Sequence, residues 1–532
     1  MIETRDPLAG IVDFDDGYSV EVELRDGNGN LVGVVGDLVD FTFVFSSEAS
    51  DVEASSMVLP GTSPWAKTFM RANRRLLLVH FLLYRDGRQI KKWTGRVDRA
   101  VRRREGPQGS VTVELISDKI WLKHILGYSA PGSGLWLQAP KVNNYLGPAV
   151  HTIKRVASDN ILRLSGNLGL LTGSKWLNNP SEWPGMQSRM PYVMIVPTTE
   201  SEDTSPTIVT QVAMTPMDEV WQEICKDYNL LPTAEFFVPG RDPMPNRLSP
   251  TAPCVVLDIK DMDRTRARSE TRPKWDAAFS LLGEFVRGLF GQYDVPPTID
   301  VFNPEDLKDF FGRREDDKWV VFRDSPEHWS SIEVASFSPT ASKSISGGKS
   351  QEFLNKGVQL LFNLLINGVL ALVGLGFAGI DVGGTFDDVL FAYQSADDTN
   401  MREFLGDFTL FEEFIGDGLT AYSFDAAQAL RQARNNAIGY QTAMFTGDIA
   451  SFKPFLPFED FDLLHPVAWE DSVEDRLFAE RVKQISVSGN RSDKIKFEVR
   501  LGEIDRPEEP EAIAQRRHES FVRALNTVLR RD

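Results

Sequence analysis

Two cysteines, Cys225 and Cys254, in 532 residues make no disulfide framework, so the fold must stand on its apolar core. Histidine is almost as scarce. The six present (His80, His124, His151, His328, His465 and His518) are far apart, and no pair has HxxxH or HExxH spacing. GxSxG, CxxC and P-loop patterns are missing as well. Acidic pairs such as Glu412-Glu413 and Asp387-Asp388 have the chemistry of a glycosidase pair, but carboxylates are too common here for that to single them out. No catalytic residue, metal ligand or cofactor site is therefore expected, and the chain does not read as an enzyme. Positive charge is also short: 58 Lys and Arg against 76 Asp and Glu leave a net charge of −18. That balance argues against binding DNA by phosphate neutralisation, though not against a conduit through which DNA slides. The opening MIETRDPL has neither a basic n-region nor an apolar h-region, so no secretory signal is expected.

What the chain does have is one long uncharged run, Gly357 to Ile380, GVQLLFNLLINGVLALVGLGFAGI, between Lys356 and Asp381. As a helix it would reach roughly 36 Å at about 1.5 Å per residue, enough to cross about 30 Å of hydrocarbon. Its polar residues are ordered. Gln359, Asn363 and Asn367 recur every four positions and form one stripe, while Leu364, Leu365 and Leu370 belong to the apolar remainder. An amide stripe on an apolar helix suits contact with copies of itself, where side-chain hydrogen bonds set register and oligomer number. A core helix whose amides bond to neighbouring loops is the alternative. Gly374, Gly376 and Gly379 spell GxGxxG, but they end the run instead of following a strand, which fits a helix stop better than a dinucleotide loop.

Around this run the pattern is mostly β. Tyr18, Val20, Val22 and Leu24 alternate with polar residues before the turn DGNGN, Phe41, Phe43 and Phe45 alternate again, and LLLVHFLLY reads as a fully buried strand. Two hairpins share a plan. The early one carries Arg96 and Val97 opposite Val111, Val113 and Leu115, and the late one carries Arg481 and Val482 opposite Ile495, Phe497, Val499 and Leu501. Basic residues gather between Arg88 and Arg104; a patch with DNA contacts is the sharp reading, and a solvated face or a subunit contact is the favoured one. A helix is expected near Ala149 to Ala157, and another is expected to be capped by Thr215 with Pro216 in its first turn. Further amphipathic helices are expected at Thr271 to Tyr293, Phe424 to Asn436 and the C-terminus.

The fold class expected is α+β: two small antiparallel β-barrel-like domains with a mixed α/β middle region and a long apolar helix. The domain reading is a barrel-like domain over 1–128, a loop-rich insertion over 129–200 and a mixed α/β domain over 201–338. A flexible Gly/Ser-rich linker plus the apolar helix follows over 339–385, a second barrel-like domain over 386–506, and a charged linker with a C-terminal amphipathic helix over 507–532.

The stretches DDVLFAYQ, FEEFIGDG, LTAYSFDAAQALRQARNN, YQTAMFTGD and RVKQISVSG resemble the minor tail, or tail-hub, proteins of long-tailed actinobacteriophages. The likeness is strongest in the C-terminal third and looser over the first domain. It implies a baseplate-hub-like homotrimer at the virion tail tip, with two barrel-like modules per subunit making a pseudo-sixfold ring. Its partners would be copies of itself, neighbouring tail-tube or distal tail proteins, other tail-tip proteins and, during ejection, the host membrane; DNA would pass without specific binding. The apolar helix would then be an axial plug or a membrane probe. A stand-alone pore-forming protein and a tail-associated cell-wall hydrolase are the competing readings.

Overall fold

The computed structural model describes residues 11–262, apart from short stretches at 15–16, 105–108, within 134–142, at 167–175 and at 206. Beyond these it describes 320–322, 331–337, 343–349, 393–397, 412–420, 440–471, 476–490 and 494–502, with single positions at 406, 408 and 410. The chain divides into two compact units. The first comprises Met1–Ser269, Ile299–Ala335 and Thr442–Ile504; the second comprises Glu270–Thr298, Ser336–Gln441 and Asp505–Asp532.

The first unit opens with β1 (Ile11–Asp13), β2 (Tyr18–Asp26), β3 (Leu31–Val34), β4 (Asp40–Ser46), β5 (Ser55–Pro60) and a single turn of helix, α1 (Ala66–Phe69). Then come β6 (Leu77–Arg85), β7 (Arg88–Arg103), β8 (Ser110–Ser117) and α2 (Ile120–Lys123). An inserted α/β layer follows, made of β9 (Leu126–Gly127), β10 (Asn143–Pro148), α3 (Ala149–Leu164), β11 (Val193–Ile195) and β12 (Thr207–Val212). It continues with β13 (Thr215–Pro216), α4 (Met217–Asp227), β14 (Leu230–Phe237) and β15 (Cys254–Asp261). After β16 (Val321–Phe322) and β17 (Ser331–Phe337), the second unit contributes β18 (Lys343–Lys349), β19 (Tyr393–Asp397) and β20 (Glu413–Thr420). The chain closes with β21 (Tyr440–Asp448), α5 (Ile449–Phe452), β22 (Pro466–Asp471), β23 (Arg476–Asn490) and β24 (Lys496–Leu501).

Among the described residues, fourteen strands form one sheet along the path β1-β2-β6-β7-β8-β5-β4-β23-β24-β21-β17, with β3 on β2 and β22 joining β16 to β23. Strands from the two ends of the sequence meet at β4 and β23, where Phe43 faces Val487 and Phe45 faces Ile485. This corrects the expected fold class. Both hairpins exist, β7 with β8 and β23 with β24, but they belong to one continuous sheet and not to two barrels. Among the described residues the protein is mostly β-sheet, with few helices, no closed barrel and no long apolar helix. The physical reason is that period-2 alternation marks one buried face per strand and says nothing of which edge meets which. The run 357–380, with Gln359, Asn363, Asn367, Leu364, Leu365, Leu370, Gly374, Gly376 and Gly379, lies outside the described residues, as do the helices expected at 271–293, 424–436 and the C-terminus.

The alternating residues build the core. Val20, Val22, Leu24, Phe41, Phe43, Val111, Val113, Phe497 and Val499 are all buried in one cluster, each contributing about 1.5–3 kcal/mol relative to exposure. Phe43 stacks on Phe81 at 4.1 Å and meets the Trp93 edge at 5.2 Å. Gly95 is required beside them. A Cβ there would stand 2.2 Å from the Ile116 carbonyl and 2.5 Å from the Trp93 ring. The inserted layer has a separate core around Trp221, Ile153 and Leu257. In it α3 begins at the expected Ala149 but runs to Leu164. Helix α4 starts one residue later than expected, with Pro216 as its cap, because Thr215 and Pro216 pair with Gly127 and Leu126 as a short strand. In the second unit β18 pairs antiparallel with β19 and parallel with β20, so the stretch 339–350 holds a strand despite its linker-like composition.

Candidate functional site

Strands β2 and β6, and the middle of β7, are not amphipathic in the simple sense, because their second face is covered too. Opposite the apolar core, Glu23 faces His80 and His80 faces Thr94 across three adjacent strands, while Glu21 faces Leu82 and Leu82 faces Lys92. These residues have the period-2 placement of a solvated face, yet Glu21, Glu23, Arg25, His80 and Thr94 are buried. The segment that follows β14 covers them.

Burying charge at this depth is unfavourable unless each ion is paired, and nearly every ion here is. Arg25 donates to Glu23 through Nε at 3.1 Å and Nη2 at 2.9 Å, and its Nη1 donates to the Gly29 carbonyl. Arg241 reaches in from the covering segment to pair with Glu23 and with Glu21 at 3.0 Å, and Tyr84 donates its hydroxyl to Glu21 at 3.0 Å. Lys92 Nζ lies 2.5 Å from Asp242 and donates to the Phe236 carbonyl at 2.6 Å. Asp242 also accepts the Val238 amide, and the Phe236 amide donates to Thr94. Six elements of sequence separated by up to 220 residues thus close one ionic lock between sheet and insertion. Desolvation lowers the Lys92 ammonium below its usual range, with Asp242 opposing that shift.

His80 is the exception. Neither ring nitrogen has a hydrogen-bond partner, and the nearest carboxylate oxygen, on Glu23, is 3.7 Å from Nδ1. The Phe236 ring packs at 5.1 Å. Burial first, and the charges of Lys92 and Arg25 next, hold its pKa well below the ordinary histidine value, so the ring is neutral.

The basic residues of β7 sort into different roles. Lys91 pairs with Asp462 at 2.6 Å and lies over the Phe458 ring at 4.8 Å, helped by Arg85 with Glu459 at 2.6 Å, so the C-terminal segment is tied to the same strands. Arg96 approaches the fully buried Asp118 at 3.8 Å, and Arg99 grips Glu114 at 2.5 and 2.8 Å. Arg102 and Arg103 stand exposed at the strand end.

Chemistry beyond binding finds little footing among the described residues. No His, Cys, Asp and Glu grouping there could hold a metal ion. Cys225 and Cys254 are free and buried, and burial pushes the Cys254 thiol up to about 12, far from a reactive thiolate. His151 is buried on the Thr198 carbonyl, and His465 accepts the Asp462 amide, each a structural contact. A crevice lined by Ser47, Gln222, Cys225 and Lys483 has room for about one water molecule. No helix among the described residues is long and apolar enough to cross a membrane. The site residues expected from sequence lie outside the described residues, so none is brought together here. The ionic lock, in turn, was missed by sequence reasoning. Its one signal is the alternation of Glu21, Glu23 and Arg25 within a strand that also alternates apolar residues, which reads equally well as a wet face.

The family model described as siphovirus ReqiPepy6 Gp37-like protein matches residues 21–503. No curated protein matches the chain. Among solved structures, the 43 kDa tail protein of prophage MuSo2 from Shewanella oneidensis is similar at 12% identity and a TM-score of 0.43, over 93% of this chain and 99% of that one. A tail protein from Neisseria meningitidis MC58 is similar at 10% identity and a TM-score of 0.39, over 91% and 97%. Prophage tail protein gp18 from Listeria monocytogenes EGD-e follows at 6% identity and 0.37, over 94% and 99%. At scores this low, family membership rests on the family model alone.

Proposed function

The chain belongs to the siphovirus ReqiPepy6 Gp37-like protein family, and we propose that it is a structural virion protein of the tail tip. In this reading it is a homotrimeric hub that closes the tail tube and passes DNA into the host. The observation that carries it is the family match over residues 21–503, which covers the insertion and most of the sheet and of the second unit. The sheet supports the same role mechanically. Strands from both ends of the sequence pair at β4 and β23, and a buried ionic lock fastens the insertion to it, giving a frame on which neighbouring tail-tube, distal tail and other tail-tip proteins can dock. The net charge of −18 suits a passage that lets DNA slide without holding it. Three copies of 357–380 would bundle on the axis, with Gln359, Asn363 and Asn367 inward, as a plug or as a probe that meets the host membrane. Electron microscopy of the purified full chain, with labelling of whole virions, tests the proposal. Threefold particles and label at the tail tip are expected; a protein that is monomeric throughout, with label away from the tail, overturns it.

A further inference from the structure

One end of the large sheet is strongly basic in an otherwise acidic chain. Residues 61–104 hold 13 Lys and Arg against two Asp, so with a net charge of −18 the remainder of the chain stands at −29. Cations nearer the middle of β7 are neutralised by Asp242, Asp462, Asp118 and Glu114. Those at the end of the sheet are not. Arg103 pairs in register with Ser110, and Ser110 with Pro60. From there the Gly61 amide donates to the Gly109 carbonyl at 2.9 Å, and the 3-10 turn Ala72–Arg74 lies against β7. The chain therefore delivers Arg71, Arg74 and Arg75 to the end of the sheet that carries Arg102, Arg103 and Arg104. All six are exposed, and none forms an ion pair within 4 Å among the described residues; Arg103 is near Glu114, which Arg99 already grips.

Six guanidinium groups held together with one nearby carboxylate, Glu114, shared with Arg99, carry an excess of positive charge that is tolerable in water and becomes favourable against an anion. Arginine in place of lysine suits bidentate contact with carboxylates or phosphates. Exposed Met70 and Leu76, at 42% and 46%, lie in the same segment. Arginine mixed with methionine and leucine is the composition of a protein interface more than of a phosphate track.

We propose that this arginine-rich end is the surface with which one copy of the chain grips the acidic surface of the next. The inference rests on the trimeric reading above and supplies its contact. Two like-charged ends repel, so copies cannot meet patch to patch. The contact is heterologous, head to tail, and such a contact closes into a ring where the rotation allows.

The test is sedimentation velocity of the full chain at about 0.1 M and about 1 M NaCl, between which the Debye length falls from about 10 Å to about 3 Å. Rings are expected at the lower salt, with a dissociation constant weaker by about tenfold or more at the higher. Arg74→Glu/Arg102→Glu/Arg103→Glu is expected to sediment as a monomer at both salts. The milder Arg74→Gln/Arg102→Gln/Arg103→Gln, which removes charge without adding acid, is expected to weaken assembly while leaving the circular dichroism spectrum unchanged. Rings that form equally well in both variants overturn the inference and leave the trimeric reading standing. A wild-type chain that is monomeric at both salts removes the trimeric reading, and this contact with it. A closed two-fold dimer overturns the head-to-tail geometry. Variants that assemble normally but lose binding to mixed-sequence duplex DNA assign the patch to nucleic acid and overturn it as well.

Discussion

Asp242→Asn isolates what the ionic lock contributes. The amide keeps an oxygen for the Val238 N–H and nearly the same shape, so the main loss is the charge beside Lys92, 2.5 Å away. Lys92 then remains buried, its side chain 9% exposed, with two neutral acceptors, the new amide oxygen and the Phe236 carbonyl, and no counter-charge. Removing one partner of a buried pair costs about 3–5 kcal/mol, whereas replacing both by neutral groups is often close to neutral. A second signature follows from the proton. Without Asp242 the folded-state pKa of Lys92 is lower still, so the folded protein binds fewer protons than the unfolded chain below the ordinary lysine pKa of about 10.4. Stability of the variant therefore rises relative to wild type as pH increases from about 7 towards 10. A chain of two units is not expected to unfold in one step, so the local measurement is native-state hydrogen exchange at the amides of β14 and Val238. A loss of about 3 kcal/mol corresponds to more than hundredfold faster exchange there. Lys92→Met/Asp242→Asn should recover most of the difference. Exchange accelerated by less than about tenfold, with no pH dependence, would falsify the view that the pair locks the insertion to the sheet.

Four further outcomes are expected. His80→Leu removes a neutral, unpartnered ring held below its ordinary pKa; the unfolded chain takes up a proton near pH 6.5 that the folded protein refuses, so wild-type stability falls as pH drops below about 6.5, by up to about 1.4 kcal/mol per unit for this group, and the variant should show a slope smaller by about one proton in urea titrations at several pH values. Gly95→Ala drives a methyl group into the Ile116 carbonyl and the Trp93 ring and should lower stability by about 1–3 kcal/mol, visible as a reduced melting temperature with an unchanged second unit. Arg241→Ala strands Glu23 and Glu21 in part, and should raise proteolytic cleavage of the segment after β14; equal cleavage rates would show that Arg25 alone satisfies Glu23. In a phage carrying Asn363→Leu and Asn367→Leu, assembly or opening of the tail tip should change while the sheet stays folded, and unaltered infectivity would count against a working role for the amide stripe.

Much of the β structure was legible because burial imposes period 2. The rows Val20, Val22, Leu24 and Ile495, Phe497, Val499, Leu501 are buried as their alternation predicts, and LLLVHFLLY is buried from Leu77 to Leu83, with Leu76 exposed and Tyr84 half-buried at its ends. The likeness to long-tailed phage proteins was also present in the residues themselves, and the family match extends it over nearly the whole chain. Tertiary structure alone decided two matters. Strand pairing joins residues such as Phe43 and Val487 that are hundreds of positions apart, and an alternating strand carries the same sequence whether its edge meets its own sheet or a distant one. Burial of the second face was the other. Glu21, Glu23, Arg25 and Lys92 look solvated in sequence because charge normally faces water, and they become a lock only when Arg241 and Asp242, supplied from far along the chain, make their burial affordable.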